Sequence, residues 1–399
     1  MVDHDVKPGH LNHCQVCGSH DLELVIDVGH QPLCDALLTK AQLQGPETSY
    51  PLRLFRCVHC TLTQLDYVVD GSVVYPPDYP YRSGITKELE VYQRVFADGV
   101  IERCGIAEGS LCVDIGSNDG TLLKAYATSG LKRIGIDPTA QPRVESIGEH
   151  QVTYIRDLYT EKYDYLDVDF VCCRHALDQM PFPKAMVELI RRNLGARADV
   201  PVYFEVPNAT SIFEDMLIRN IMYEKSSWFT RHSLARMCEL CGFRVLAIEP
   251  CFAGGQYLGA DIMPASGPGS VPQTDLAPVA LFAQSIKSFA ANHERKIQRW
   301  SSRLQALVQS GRRIIAWGSG AGGIYFFSRL GIGDEIPYVV DINPRRNGRF
   351  LPVTGQKVVA ADFLYEYRPD VVIITNETFE DEIKQQVAAM GLTCSFWTV

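Results

Sequence analysis

Leu111-Cys-Val-Asp-Ile-Gly-Ser-Asn-Asp-Gly120 is an apolar run that breaks into a glycine-bounded turn, followed by the helical run Thr121–Ser129. Strand, glycine turn and helix in this order open a parallel sheet whose ligands lie beyond the carboxyl ends of its strands. Gly116 and Gly120 bring the backbone close to a ligand because no Cβ intervenes. Asp114, just before the turn, repels a pyrophosphate but suits a cation such as the amino group of S-adenosylmethionine. The next strand, Arg133–Ile136, ends in Asp137, an acid placed to accept both hydroxyls of a ribose. The candidate cofactor residues are therefore Asp114, Gly116, Ser117, Asn118, Gly120 and Asp137. The bland alternative is a tight turn that binds nothing.

Outward from this stretch, Phe170–Cys173, Val202–Val206 and Arg244–Ile248 are strand-like runs alternating with helical ones, the signature of a helix-covered parallel sheet. On the N-terminal side, Leu11 to about Pro80 is short-strand and turn material. It carries Cys14-Gln-Val-Cys17 and Cys57-Val-His-Cys60. Four thiolates on two knuckle turns close a tetrahedral zinc site with no open position, a structural site. Gly18 supplies the small residue such a knuckle favours, whereas His59 reads as a surface residue. Cys238 and Cys241 lie in the helical run Arg231–Cys241 with no second pair, so they read as packing before a helix end at Gly242.

On the C-terminal side, the Pro-, Gly- and Ser-rich stretch Ala260–Thr274 reads as a connection, and an amphipathic helix is expected over about Leu276–Ser310. A second α/β unit follows, with strands at Arg313–Trp317, Tyr338–Asp341, Asp370–Thr375 and Cys394–Thr398. Trp317-Gly-Ser-Gly-Ala-Gly-Gly323 places Gly318, Gly320 and Gly323 in the dinucleotide register, and Asp341 ends the following strand. Read literally, this is a nicotinamide-dependent oxidoreductase. No hydride-transfer constellation accompanies it, and a glycine turn at a helix N-terminus receives phosphate of any origin.

The chain has 399 residues, 46% hydrophobic and 21% charged, enough for two or three domains with real cores. A net charge of −9 and scattered Lys and Arg argue against nucleic acid as a partner. No signal peptide or membrane span is evident, and 13 cysteines, mostly in apolar runs, fit a reducing compartment, so a cytoplasmic protein is expected.

The whole pattern resembles the sugar C-methyltransferase family, and the resemblance covers nearly the entire chain. Its marks are the four cysteines, Asp114–Gly120, Arg174-His-Ala-Leu-Asp178, Tyr203-Phe-Glu-Val-Pro-Asn208, Tyr223-Glu224, Gly255-Gln-Tyr257, Trp317–Gly323 and Val340-Asp-Ile-Asn-Pro344. The resemblance implies an α/β architecture: a zinc-binding domain (1–82), a Rossmann-like class I methyltransferase sheet (83–255) and a second Rossmann-like domain with a long linking helix (256–399). It further implies a monomer acting on a small molecule, a nucleotide-linked ketodeoxysugar. A base would remove a proton beside the keto group, and the enolate would take the sulfonium methyl. His175 would support the cofactor pocket. Tyr79, Gln179, Asn208, Gln256, Tyr257, Gly318, Gly320 and Asp341 would bind substrate, the second glycine turn helping to hold the nucleotide.

The sequence departs from the family where proton transfer is expected. Relatives read Tyr-Glu-His where this chain has Tyr223-Glu224-Lys225, and carry a histidine after Leu-Glu where it has Gln179. The remaining catalytic candidates are Tyr81, Tyr223, Glu224 and Lys225. Lys225 is either a base with a pKa lowered by ~3 units or an ammonium that holds an anionic group. An O- or N-methylation, a rearrangement that keeps the cofactor without methyl transfer, and a non-catalytic scaffold stay open as alternatives.

Overall fold

Apolar strands alternating with amphipathic helices assemble the middle of the chain into an eight-stranded sheet. Its order is Phe243–Cys251, Tyr257–Pro264, Val202–Pro207, Phe170–Arg174, Leu111–Ile115, Lys132–Ile136, His150–Ile155, Arg143–Ile147. The central strands, from Val202–Pro207 to His150–Ile155, run parallel, and antiparallel strands complete both edges. The computed structural model describes residues 9–399 apart from 77, 78, 80, 85, 127–129, 148, 149 and 267–275.

Strands with both faces covered should be apolar throughout, and every residue of Phe170–Arg174 and Val202–Pro207 is buried. Side-chain alternation sorts their residues onto two faces. Cys112, Phe170, Cys172 and Tyr203 pack with Phe96, Ala97 and Val100 of helix Lys87–Cys104. Val113, Ile115, Val171, Cys173, Val202 and Phe204 face Val187 and Ile190 of Pro183–Asn193 and Leu234 and Met237 of Arg231–Leu240. Thr230 begins the latter helix with a reciprocal capping box to Ser233. The same core takes in Cys14, Val16, Cys57, Cys60 and Leu62. Strand Thr63–Leu65 also pairs with Ser227–Trp228, so the cysteine segment is built onto this sheet rather than hung beside it.

The chain divides into two compact units: Met1–Val25, Leu54–Ser211 and Ser226–Gln284 form one, and Ile26–Arg53, Ile212–Lys225 and Ser285–Val399 the other. The second holds an all-parallel five-stranded sheet ordered Lys357–Val359, Tyr338–Val340, Ile314–Trp317, Val371–Ile374, Ser395–Thr398. Helices Ala321–Leu330 and Glu380–Ala389 belong to it, as does most of the long helix Leu276–Gln309. Leu38, far away in sequence, exchanges backbone hydrogen bonds of 2.8 and 2.9 Å with Phe350 in this unit. Among the described residues no helix is long and apolar enough to cross a membrane.

The main difference from the sequence reading is the expected connection Ala260–Thr274. Its first part belongs to strand Tyr257–Pro264, which lies between Val202–Pro207 and Phe243–Cys251, while 267–274 lie outside the described residues. Within that strand a Cβ on Gly259 would lie 2.2 Å from the Tyr203 hydroxyl, so close packing demands glycine. The hairpin Arg143–Ile147/His150–Ile155 has no apolar stretch to announce it, because Arg143–Ile147 is a half-exposed edge strand. The helix expected over Thr121–Ser129 ends at Ala125, and 127–129 lie outside the described residues.

Gly323 yields a test. Within a helix, glycine to alanine normally stabilises. Here the new Cβ would lie 2.1 Å from the Gly318 carbonyl oxygen, where helix and turn touch. Gly323→Ala is expected to destabilise the protein by about 1–3 kcal/mol, read as a lower thermal midpoint. A raised midpoint would contradict this packing.

Candidate cofactor and metal sites

The two cysteine pairs converge. All four Sγ atoms lie within 4.8 Å of one another, with Cys14 to Cys60 at 3.4 Å and Cys17 to Cys57 at 3.5 Å. Four sulfurs around zinc at ~2.3 Å stand about 3.8 Å apart, so the thiols fit a closed tetrahedral site. The knuckles fold alike: Gly18 N–H donates to the Cys14 carbonyl at 2.9 Å and Thr61 N–H to the Cys57 carbonyl at 3.1 Å. Gly18 has φ +74°, and Thr61 takes the equivalent left-handed turn at φ +63°. A β-branched residue is strained there. Its hydroxyl compensates by donating to the Cys60 carbonyl at 2.6 Å, beside Thr230 Oγ1 at 2.6 Å. His59 lies on the surface 2.6 Å from Asp21, outside the cluster. Cys238 and Cys241 are buried packing residues, and burial pushes the Cys241 thiol up to about 12.

The first glycine turn follows strand Leu111–Ile115. Gly116 and Gly120 have φ near +80°, and Cβ atoms there would lie 2.6 Å from Ala176 and 2.2 Å from Tyr154. Ser117 Oγ is buried with no hydrogen-bond partner among the described residues and packs against Gly135, where a Cβ would lie 2.5 Å from it. Asp137 at the neighbouring strand end accepts from Asn118 N–H at 2.9 Å, and from the Thr139 N–H and hydroxyl at 2.6 and 2.7 Å. Asp114 is buried. Burial pushes its carboxyl up to about 7; Arg174 opposes the rise and Asp137 adds to it. A buried acid balanced this way is stabilised by an incoming cation.

Asn118 and Asp119 also bind the tyrosine segment. Asn118 accepts from Ser83 N–H at 3.1 Å and donates to the Tyr81 carbonyl at 3.3 Å. Asp119 accepts from the Ser83 hydroxyl at 2.7 Å and Gly84 N–H at 3.0 Å. Tyr81, 42% exposed, thereby borders the turn, whereas Tyr79 is buried. Tyr79 meets Tyr75 edge-on, and the Tyr75 hydroxyl donates to Gln179 at 2.9 Å. Asp78 and Pro80 lie outside the described residues.

His175 follows strand Phe170–Arg174. Its Nε2 is 2.7 Å from Glu205 and its ring lies edge-on to Tyr257 with centroids 4.3 Å apart. Asn208 follows the next strand, Val202–Pro207, and binds the Gly255–Gln256 turn: its N–H donates to the Gln256 carbonyl at 2.8 Å and its side chain to the Gly255 carbonyl at 2.9 Å. Sequence reasoning passed over Asp119, Arg174 and Glu205 as site-forming groups. The signal for Glu205 was an acid inside an apolar strand, where a charge needs partners.

The remaining expected residues belong to the second unit. Tyr223 is buried, its hydroxyl donates to the Pro51 carbonyl, and its own carbonyl accepts from Cys34. Lys225 is 7% exposed, and Glu224 beside it is half-buried. At the second glycine turn, Asp341 Oδ2 accepts from Ser319 N–H at 2.9 Å and hydroxyl at 2.5 Å, and Oδ1 accepts from Asn343 N–H at 2.8 Å. Arg346 pairs with Asp35 and approaches Asp341 at 3.7 Å. A Cβ on Gly320 would lie 3.2 Å from this guanidinium. An arginine beside a glycine turn suits a phosphate.

The metal site makes a prediction. Because the cysteines share the core of the eight-stranded sheet, stripping the metal with a strong chelator should lower the thermal midpoint by roughly 10 °C or more. This takes on the order of 5 kcal/mol of metal-linked stability and about 2–4 °C per kcal/mol. An unchanged midpoint after verified metal loss would show that the thiols hold the fold without it.

Comparison with known proteins gives three family models in series: a zinc binding domain over residues 14–75, a methyltransferase domain over 90–248 and a C-methyltransferase C-terminal domain over 281–396. The chain is 24% identical over 394 residues to the C-methyltransferase NovU of Streptomyces niveus, spanning 95% of this chain and 92% of that one. Two structures of magnesium protoporphyrin IX methyltransferase from Synechocystis PCC 6803 also match. The one with bound S-adenosylmethionine is 14% identical with TM-score 0.33, covering 46% of this chain and 86% of that chain. The one with bound S-adenosylhomocysteine is 15% identical with TM-score 0.35, covering 46% and 89%. With the three family models in this order and a relative matching almost end to end, the chain is an S-adenosylmethionine-dependent methyltransferase that carries a zinc binding domain and a C-methyltransferase C-terminal domain.

Proposed function

We propose that this enzyme methylates carbon of a nucleotide-linked ketodeoxysugar, acting as a cytoplasmic monomer with the domain division 1–82, 83–255 and 256–399. The observation that carries the reading is Asp114, a buried acid beside the Gly116–Gly120 turn with Asp137 one strand away. Asp114 meets the cofactor's ammonium, Asp137 its ribose, and Ser117 and Asn118 complete the pocket, which His175 borders. Carbon methylation is supported by the match over 281–396 and by the relative's name. A carbon nucleophile needs the proton beside a carbonyl removed, and the resulting enolate oxygen stabilised. Tyr81, Tyr223, Glu224 and Lys225 serve this chemistry, with Lys225 as the ammonium that holds negative charge. Tyr79, Gln179, Asn208, Gln256 and Tyr257 position the acceptor, and Gly318, Gly320 and Asp341 hold its nucleotide part.

Incubation with S-adenosylmethionine and a panel of nucleotide-linked ketodeoxysugars should yield, by mass spectrometry and NMR, a product with a new carbon–methyl bond. A methyl found on oxygen or nitrogen would replace this reading with a changed reaction. Lys225→Met should lower turnover by on the order of 10²-fold if the ammonium stabilises the enolate; a change confined to KM would make it a substrate anchor.

Asp114 makes cofactor binding depend on pH. A cation binds the ionised carboxylate, whose folded pKa of about 7 stands above its ordinary 3.8. Affinity should therefore rise about tenfold per pH unit up to roughly pH 7, with proton release, and then level off. In the empty fold the native state holds this proton more tightly than the unfolded chain. Asp114 thus contributes a loss of stability as pH rises from about 4 to about 7. Calorimetry in buffers of different ionisation enthalpy measures the released proton, and Asp114→Asn should abolish it.

A further inference from the structure

Glu205 lies within an apolar strand, yet the fold surrounds its carboxylate with donors. It is fully buried. Oε1 is 2.8 Å from Arg174 Nη2 and 2.7 Å from His175 Nε2, while Oε2 accepts from the Tyr92 hydroxyl at 2.8 Å and the Tyr203 hydroxyl at 3.1 Å. Arg174 is itself buried, bonded to Gln93 and lying over the rings of Phe96 and Tyr92 at 4.1 and 5.1 Å. Burial would raise the Glu205 carboxyl, but Arg174 and then His175 hold it well below the usual carboxylate range. Arg174 already balances its charge, so the imidazole is not needed as a counter-ion.

His175 occupies a place where its conformation is imposed. Its φ is +53°, its N–H donates to the Glu205 carbonyl at 2.8 Å, and its side chain is 32% exposed. The next residue, Ala176, touches the first glycine turn at Gly116, so His175 borders the cofactor pocket. With Nε2 committed to a permanent acceptor, the proton of a neutral ring belongs on Nε2, which leaves a lone pair on Nδ1. Nδ1 has no hydrogen-bond partner among the described residues.

We propose that His175 is the base that takes the acceptor's proton and that Glu205 is its positioning residue; this rests on the carbon-methylation reading above. The carbon–hydrogen bond beside the carbonyl breaks, a bond from Nδ1 to hydrogen forms, and the electron pair passes to the carbonyl oxygen as an enolate. The buried carboxylate stabilises the imidazolium, which then returns its proton to water. S-adenosylmethionine supplies the methyl electrophile. The arrangement places an imidazole just past the strand end, next to Ala176 and the first glycine turn.

The test needs no methyl transfer. The full chain, loaded with S-adenosylhomocysteine, is given a thymidine-diphosphate-linked ketodeoxyglucose in deuterium oxide, and NMR follows exchange of the hydrogen beside the keto group. His175→Gln should slow exchange about 10²–10⁴-fold while calorimetry shows cofactor affinity retained. His175→Gly fits the left-handed backbone, and added imidazole should restore part of its rate. Glu205→Gln should slow exchange too and shift the ¹⁵N signals of His175 away from the Nε2-protonated form. Exchange in His175→Gln at the wild-type rate would overturn the assignment alone. Lost cofactor affinity with no imidazole rescue would overturn it by making His175 a cofactor ligand. A wild-type protein that exchanges nothing would instead sink the carbon-methylation reading, and the base with it.

Discussion

Everything in the first unit depends on keeping a carboxylate out of water at the carboxyl end of a parallel strand. Asp114 is buried between neighbours of opposite effect, Arg174 easing its charge and Asp137 opposing it, which leaves its carboxyl near neutrality. A sheet built for packing alone would put an apolar residue there, since an uncompensated buried charge is costly. Arg174 offsets part of that cost, and an incoming cationic ligand would offset the rest.

The same logic of supported charge recurs one strand away. Arg174 and Glu205 are adjacent across the parallel register Cys173–Phe204 and Arg174–Glu205, so the sheet itself sets their distance. Two tyrosine hydroxyls from different elements satisfy the remaining carboxylate oxygen. Among the described residues the one buried side-chain atom of this network without a partner is Arg174 Nε, and a network bonded this densely is rigid, as a proton-handling group requires of its support. The zinc knuckles contribute order of another kind: they join the core of the same sheet and receive the strand Ser227–Trp228.

In the second unit the glycine turn has dinucleotide spacing but other surroundings. Gly323 is there for helix packing, and Asp341 is held by Ser319, Asn343 and Arg346. Spacing alone cannot distinguish such a turn from a nicotinamide site, because Arg346, which pairs with Asp35, reaches Asp341 from outside the glycine motif.

Much of the architecture was legible. Largely apolar runs such as Leu111–Ile115 and Phe170–Cys173 carry their own signal, since a strand covered on both faces is nearly continuously apolar. Tyr257–Pro264 was not legible, because its Gly259 answers to Tyr203 across the sheet, nor was the half-exposed edge Arg143–Ile147. By itself the sequence determined the strongly periodic strands and helices, the four thiols and the glycine turns, all set by local periodicity and spacing. Only the tertiary structure decided which acids are buried, which imidazole faces Glu205 and which turn residues are already engaged. Those properties arise from side chains far apart in the chain meeting in a medium that cannot screen their charges.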